Sequence, residues 1–342
     1  MRNETVDALR AAAAISVCFF HFVSGNTHFA EASILRPAAN YGWLGIQVFF
    51  VISGFIVPFA MSKACYQLQS WPRFMARRLI RLEPPYLASI AITLLLAVAS
   101  TYAPGFRGVP LEISLAQIAS HIGYLNAFIG WPWLNPVYWT LALEFQFYAL
   151  IGLMLPAFTA GTPATRLALL GVVAASPVLI PVTGQWLITE YLHIFAAGLL
   201  TFLAVTGRVQ KSAYWAALAI LAAFIALREG MVVAAAATLT AAMIATIQLP
   251  RIAGVAWVGA ISYSLYLLHV PIGGRIVNLS TRLQPSAALE IVVVAMAFAT
   301  SIAAAYLLYR FVEKPAVEAA SSVALAPSSH AAIVQARGRT SA

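Results

Sequence analysis

The sequence predicts an all-α, polytopic integral membrane protein of about ten transmembrane helices with both termini in the cytoplasm. Three observations carry that prediction. Of 342 residues, 62% are hydrophobic and 9% charged, with a mean hydropathy of +0.86, well beyond a soluble globular domain of this length. Apolar runs near the 20 residues needed to cross the hydrocarbon core recur along the chain, separated by short stretches holding Pro, Gly or Arg. The basic residues alternate from loop to loop as the positive-inside rule requires.

The first run, 8–25, has Arg10 at its start and precedes an Ala30-Glu31-Ala32 triplet. A cleaved signal peptide is the lesser reading, because the candidate chemistry below needs this helix. The second run, 43–62, ends at Lys63, and the longest inner loop, about 63–85, is rich in arginine. A third run, 86–103, leads to the longest outer loop, about 104–138, where an amphipathic helix is expected around 112–129, with Trp131, Trp133 and Tyr138 near its end. Runs at 139–157, 167–184, 187–205, 213–228, 230–248, 252–272 and 287–311 complete the set. With the N-terminus inside, only Arg36, Arg107, Arg228, Arg275 and Arg282 of the 20 basic residues fall outside. The net charge of +9 therefore reads as topology, and nucleic acid is not an expected partner, since the basic residues flank apolar helices. Residues 316–342 read as a cytoplasmic, disordered tail after a membrane domain over 1–315. Cys18 and Cys65 form neither a metal spacing nor a disulfide framework, and no metal is expected.

Ionisable groups inside spans are costly, so each is a functional candidate. His21 follows Arg10 by eleven positions, which at 100° per residue brings it to nearly the same helix face about 16 Å further on. A cation at the inner rim is thereby aligned with an imidazole in the outer half, an arrangement suited to a long anionic donor with a reactive end. The competing reading is a snorkelling Arg10 and a His21 that only bridges helices. Glu144 is expected about five residues deep from the outer side, where it could orient His21 by the base–orienter logic of acyl transfer; a protonated interhelical bridge is its structural alternative. Arg77, Arg78 and Arg81 could bind phosphate oxygens, although arginines beside a span are also ordinary topology signals. Ser53-Gly54 within a span suits close helix approach, and no Gly-x-Ser-x-Gly elbow marks Ser53 as a nucleophile. Asp7, Ser53, Trp139, Thr140, His193 and His269 are acceptor-site or structural candidates, with Glu190 near His193. Cys18 reads as a small buried hydrophobe, and His28, His121 and His330 show no partner pattern.

These residues together resemble the acyltransferase-3 membrane proteins. Asp7 to Arg10 with His21 resembles the family's opening pattern, Phe49 to Phe55 its FFxxSGF segment, and Arg77 to Pro84 its RRxxRxxP run. Trp139 to Tyr148, Ile261 to His269 and Glu313-x-Pro315 supply three further matches in the family's order. Glu83 departs from the apolar or aromatic residue expected before Pro84. The resemblance implies acyl transfer from acyl-coenzyme A, most simply acetyl-CoA as co-substrate, to a hydroxyl of a carbohydrate or glycolipid at a bacterial inner membrane, with no bound cofactor. It implies His21 as catalytic base and Arg10 with Arg77, Arg78 and Arg81 as donor-binding groups. The rival class is a proton-coupled secondary transporter or lipid-linked glycan flippase, in which His21 and Glu144 would relay protons. The oligomeric state and the acceptor's identity are not readable.

Overall fold

The computed structural model describes residues 3–26, 29, 33–102, 112–180, 187–280 and 286–324. Among these, all regular structure is helical. Ten helices of at least 12 residues set the frame: α1 (Glu4–Phe22), α2 (Gly45–Lys63), α3 (Trp71–Thr101), α4 (Tyr138–Ala160), α5 (Pro163–Ala174), α6 (Leu192–Val205), α7 (Lys211–Glu229), α8 (Met231–Thr246), α9 (Ala253–Leu268) and α10 (Ala287–Leu308). Seven helical segments are long and apolar enough to cross a membrane; α5, α6 and α8, at 12, 14 and 16 residues, are shorter. The expected ten spans are thus supported for seven by length and composition.

The central packing is built on glycine. A Cβ on Gly54 of α2 would run into the Phe195 carbonyl oxygen of α6, and one on Gly198 of α6 into the Val51 carbonyl oxygen. Without side chains at these two positions the backbones approach closely, which in an apolar solvent is a main source of helix affinity. Arg208 at the end of α6 donates to Ser62 of α2 at 3.1 Å, so the two helices run parallel. Helices α1 and α9 also run side by side and parallel: the Asp7 backbone abuts Gly259, Arg10 meets Ser262, and His21 meets His269.

Two regions depart from the sequence reading. The arginine run is not in a loop, because α3 is one 31-residue helix containing both Arg77–Arg81 and Pro84-Pro85. An interior proline removes a backbone donor, and near this point the Tyr263 hydroxyl donates to Leu82 O at 2.9 Å. The anticipated amphipathic helix in the outer loop is instead three short pieces, Leu115–Ser120, Ile122–Tyr124 and Asn126–Ile129, folded back into the bundle. Gly123 N–H donates to Glu83 Oε1 at 2.8 Å, and Tyr124 packs on Tyr86 with centroids 4.8 Å apart. Glu83 stands 18 positions before Thr101, the end of α3, so this segment reaches about 27 Å along that helix. Irregular backbone at such depth is tolerated only when protein satisfies it, and the Glu83 carboxylate does so here. Glu83, the residue that departs from the family pattern, is therefore a cap for an inserted segment.

The first residues of the expected tail, from 316, are ordered helix. Lys314–Ser321 is helical, with Ala316 and Ala320 buried, and it packs against α3. Residues 325–342 lie outside the described residues, as do Arg107, Arg282, His28 and His330.

Candidate active site

Along α9 the sequence Ser262-Tyr263-Ser264-Leu265-Tyr266-Leu267-Leu268-His269 places polar groups at positions i, i+4 and i+7, which share one helix face. At His269 the helix widens into a π turn over His269–Gly274 containing Pro271. Such bulges recur at functional sites because they redirect side chains that regular winding would hide. Ser262 and Tyr266 of this face, with Tyr263, line a cavity of about 970 Å³ of empty space, counting the part open to solvent, whereas His269 lies outside its lining.

The cavity is lined by Arg10, Arg78, Arg81, Ser262, Ser53, Glu144, Tyr148, Thr140, Tyr266 and Phe49, among others. Ser262 precedes Tyr266 by one turn of α9 and Tyr148 follows Thr140 by about two turns of α4, so Arg10 beside Ser262 and Arg78 beside Tyr148 mark one end and the Thr140–Tyr266 contact the other. Arg10 Nε donates to Ser262 Oγ at 3.3 Å and lies within the electrostatic reach of Arg81, Glu313 and Glu144. The Arg78 guanidinium sits 4.7 Å from the Tyr148 ring centroid and 5.2 Å from that of Phe74, cation–π contacts that hold it in place. A second π turn, Tyr309–Glu313, brings Glu313 Oε2 within 2.6 Å of Ser264 Oγ, the donor. The site thus gathers three arginines against two carboxylates, leaving an excess of positive charge for an anionic ligand. Arg77 is half-buried but does not line the cavity.

The expected pairing of Glu144 with His21 does not occur. Glu144 Oε1 accepts from Ser53 Oγ at 2.7 Å and from the Tyr148 hydroxyl. The reason is depth. Tyr138, at the start of α4, bonds to Ser89 at 2.8 Å, twelve positions inside the end of α3. The helix therefore begins within the bundle, and Glu144 lies nearer Arg78 and Arg81 than a span starting at the surface would place it.

His21 instead meets His269, with His269 Nε2 3.3 Å from His21 Nδ1 and ring centroids 5.0 Å apart. The protons of this pair are assigned from the groups each nitrogen faces. His269 Nδ1 lies 2.8 Å from Tyr266 O and 3.2 Å from Leu265 O, both pure acceptors, so it carries the proton and Nε2 keeps a lone pair. His21 Nδ1 faces Val17 O at 3.0 Å and that lone pair, so it too carries the proton. The His21 Nε2 lone pair is thereby left for chemistry, and it makes no hydrogen bond among the described residues. His269 is fully buried, and neither histidine lines the cavity.

The other sequence candidates serve elsewhere. Ser53 and Thr140 face the cavity, and Thr140 Oγ1 lies 2.6 Å from the Tyr266 hydroxyl. Trp139 packs on Tyr191 at 5.6 Å. His193 is buried, with Nε2 3.3 Å from Glu229, next to an Arg228–Glu190 contact of 3.5 Å. Asp7 contributes backbone to the α1–α9 contact. Cys18 is fully buried, and His121 is held by Gln117 O and Leu134 N–H within the inserted segment's packing. Sequence reading did not single out Tyr148, Ser262, Tyr263 or Tyr266, although the helical spacing of hydroxyls in an otherwise apolar stretch would have found the last three.

Comparison with known proteins agrees with this architecture. The acyltransferase-3 family model, described as an acyltransferase domain, matches residues 3–310. A protein named membrane-bound transacylase BcsY from Komagataeibacter xylinus is 33% identical over 162 residues, 45% of this chain and 37% of its own length. O-acetyltransferase OatA of Staphylococcus aureus strain NCTC 8325 / PS 47 is 28% identical over 166 residues, 44% of this chain and 24% of its own. The matches therefore span well under half of either relative. No solved structure matches.

Proposed function

Because this chain belongs to the acyltransferase-3 family, we propose that it transfers an acyl group, acetyl foremost, from cytoplasmic acyl-coenzyme A to a hydroxyl of a carbohydrate-containing surface or exported molecule, at a bacterial inner membrane. The observation that carries this reading is a cavity with an arginine-lined end, next to a histidine whose Nε2 lone pair is uncommitted. The donor's phosphates pair with Arg10, Arg78 and Arg81, where guanidinium groups offer bidentate contacts. Its acyl arm runs along the apolar wall toward Tyr266. The Glu144 carboxylate, held by Ser53 and Tyr148, offers an acceptor to the amide N–H groups of the donor's arm.

His21 acts as general base through Nε2. It removes the acceptor hydroxyl proton as the oxygen attacks the thioester carbonyl, a C–O bond replaces the C–S bond, and the proton passes to the departing thiolate. His269 accepts from Nδ1–H and supports the imidazolium that forms meanwhile, the place a carboxylate takes in a serine hydrolase. Names of O-acetyltransferase and transacylase among the relatives support the reaction class, and the former supports an oxygen acceptor.

The test is mass spectrometry of surface glycans and glycolipids from cells carrying the wild-type chain, His21→Ala, or neither. An acyl mass increment confined to wild type is expected and would identify the acyl group and acceptor. Equal glycans from wild type and His21→Ala, with both proteins inserted, would overturn the assignment of the base.

A further inference from the structure

Tyr266 stands between the cavity and His269, and His269 in turn contacts His21. Tyr266 belongs to both neighbourhoods: it lines the cavity, and its ring packs 5.7 Å from the His269 ring. The hydroxyl is tied across to α4, 2.6 Å from Thr140 Oγ1 and donating to Val137 O at 3.2 Å. Thr140 Oγ1 also lies 3.0 Å from Val137 O, so two hydroxyl protons serve this triangle: one hydroxyl donates to the other, and the second donates to Val137 O. Phe49 flanks Tyr266 from α2, its ring 6.0 Å from that of Tyr266. Tyr266 and Thr140 are 5% and 6% exposed. A phenol so tied, with neighbours packed on two sides of its ring, forms a wall and not a swinging side chain.

We propose that the Thr140–Tyr266 pair is the septum of the donor cavity and that it sets the size of the acyl group, admitting an acetyl-sized unit past its edge to His21 and refusing longer chains. The inference rests on the reading above, in which the donor occupies the cavity and His21 is the base. Two physical points support it. A tied aromatic wall has no slack for added methylenes, and forcing extra carbons into well-packed surroundings is costly. Water held on the cavity side is also kept from His21, so the thioester waits for the acceptor instead of being hydrolysed. Loss of the wall would give a futile reaction: water adds to the carbonyl, C–S is replaced by C–O, and a free carboxylic acid and coenzyme A thiol are released.

The experiment uses the full-length chain in lipid nanodiscs with acetyl-, butyryl- and hexanoyl-coenzyme A, following thiol release with and without a cell-envelope carbohydrate fraction. Wild type, Tyr266→Phe, Tyr266→Ala, Thr140→Val and His21→Ala are compared, and binding of desulfo-coenzyme A reports whether each variant keeps its cavity. Tyr266→Ala is expected to raise hexanoyl relative to acetyl turnover at least tenfold and to release thiol without acceptor. Tyr266→Phe and Thr140→Val, which keep the shape but cut the tie, should shift the ratio in the same direction by a few fold. Variants that bind desulfo-coenzyme A yet keep the wild-type chain-length profile would overturn the septum. If Tyr266→Ala alone fails to bind, the two shape-preserving variants decide by the same criterion. Wild-type protein that releases no thiol from any of the three donors, or His21→Ala that releases it normally, would instead overturn the underlying functional reading.

Discussion

Replacing His269 tests the pair most directly. His269→Leu removes the Nε2 lone pair 3.3 Å from His21 Nδ1 but leaves the 3.0 Å contact to Val17 O, so His21 keeps its tautomer and loses one of two acceptors. A hydrogen bond to a charged group contributes about 1.5–3 kcal/mol, and this one strengthens only when His21 becomes an imidazolium. The loss should therefore fall on the transition state, lowering kcat by roughly 10- to 150-fold. The KM for acetyl-coenzyme A should stay within about twofold, because His269 does not line the cavity and uniform binding is untouched. Gln places an acceptor oxygen near the Nε2 position and Asn does not reach it. His269→Gln should thus recover most of the rate, whereas His269→Asn should resemble Leu. The assay is initial thiol release in nanodiscs with a cell-envelope carbohydrate fraction. A His269→Leu enzyme within twofold of wild type, or equal rescue by Asn and Gln, would refute the positioning role.

Further outcomes follow from other contacts. Arg78→Ala and Arg81→Ala should each weaken coenzyme A binding by about 10- to 100-fold in Kd, as expected for loss of a charge-assisted contact, while Arg77→Ala, outside the cavity, should change it only a few fold; isothermal titration with coenzyme A measures all three. Ser53→Ala removes one of two hydrogen bonds to Glu144 and should cost no more than about tenfold in turnover; complete inactivation would instead mark Ser53 as a nucleophile. Gly198→Leu should leave little correctly assembled protein, since its side chain must occupy space held by the α2 backbone, seen as an early-eluting, low-melting species in detergent. Glu83→Ala uncaps the Gly123 amide and should expose a cysteine introduced at 123 to membrane-impermeant maleimide.

The membrane class and most helix positions were legible because apolar composition dominates them. Even so, α5, α6 and α8 are shorter than the apolar runs that announced them: hydropathy counts residues and cannot tell helix from the apolar turns beside it. The identities of Arg10, His21, Arg78, Arg81 and Glu144 as polar groups in apolar helices were equally legible. Their pairing was not, because it depends on relative depth. A prolonged α3 carries the arginines inward, and α4 starts below the surface, so Glu144 lands beside Ser53 and Tyr148. Local pattern also conceals the π turn that delivers His269, since a single extra residue per turn leaves hydrophobic periodicity almost unchanged. The inserted segment at 115–129 was hidden for a related reason: its side chains are amphipathic enough to suit an interface, and only the long-range bond from Gly123 to Glu83 reveals where it rests.

The side-by-side course of α1 and α9 carries a consequence for biogenesis. α1 brings His21, and its proposed partner His269 is translated 248 residues later, after α9. Throughout insertion, His21 has its own backbone carbonyl as a partner but no His269, and the cavity lacks the α9 face that closes it. On the proposed function, a chain that stops before α9 should be inert toward thioesters, and activity should require α9 to dock against α1. Product formation would then report that α1 and α9 have met.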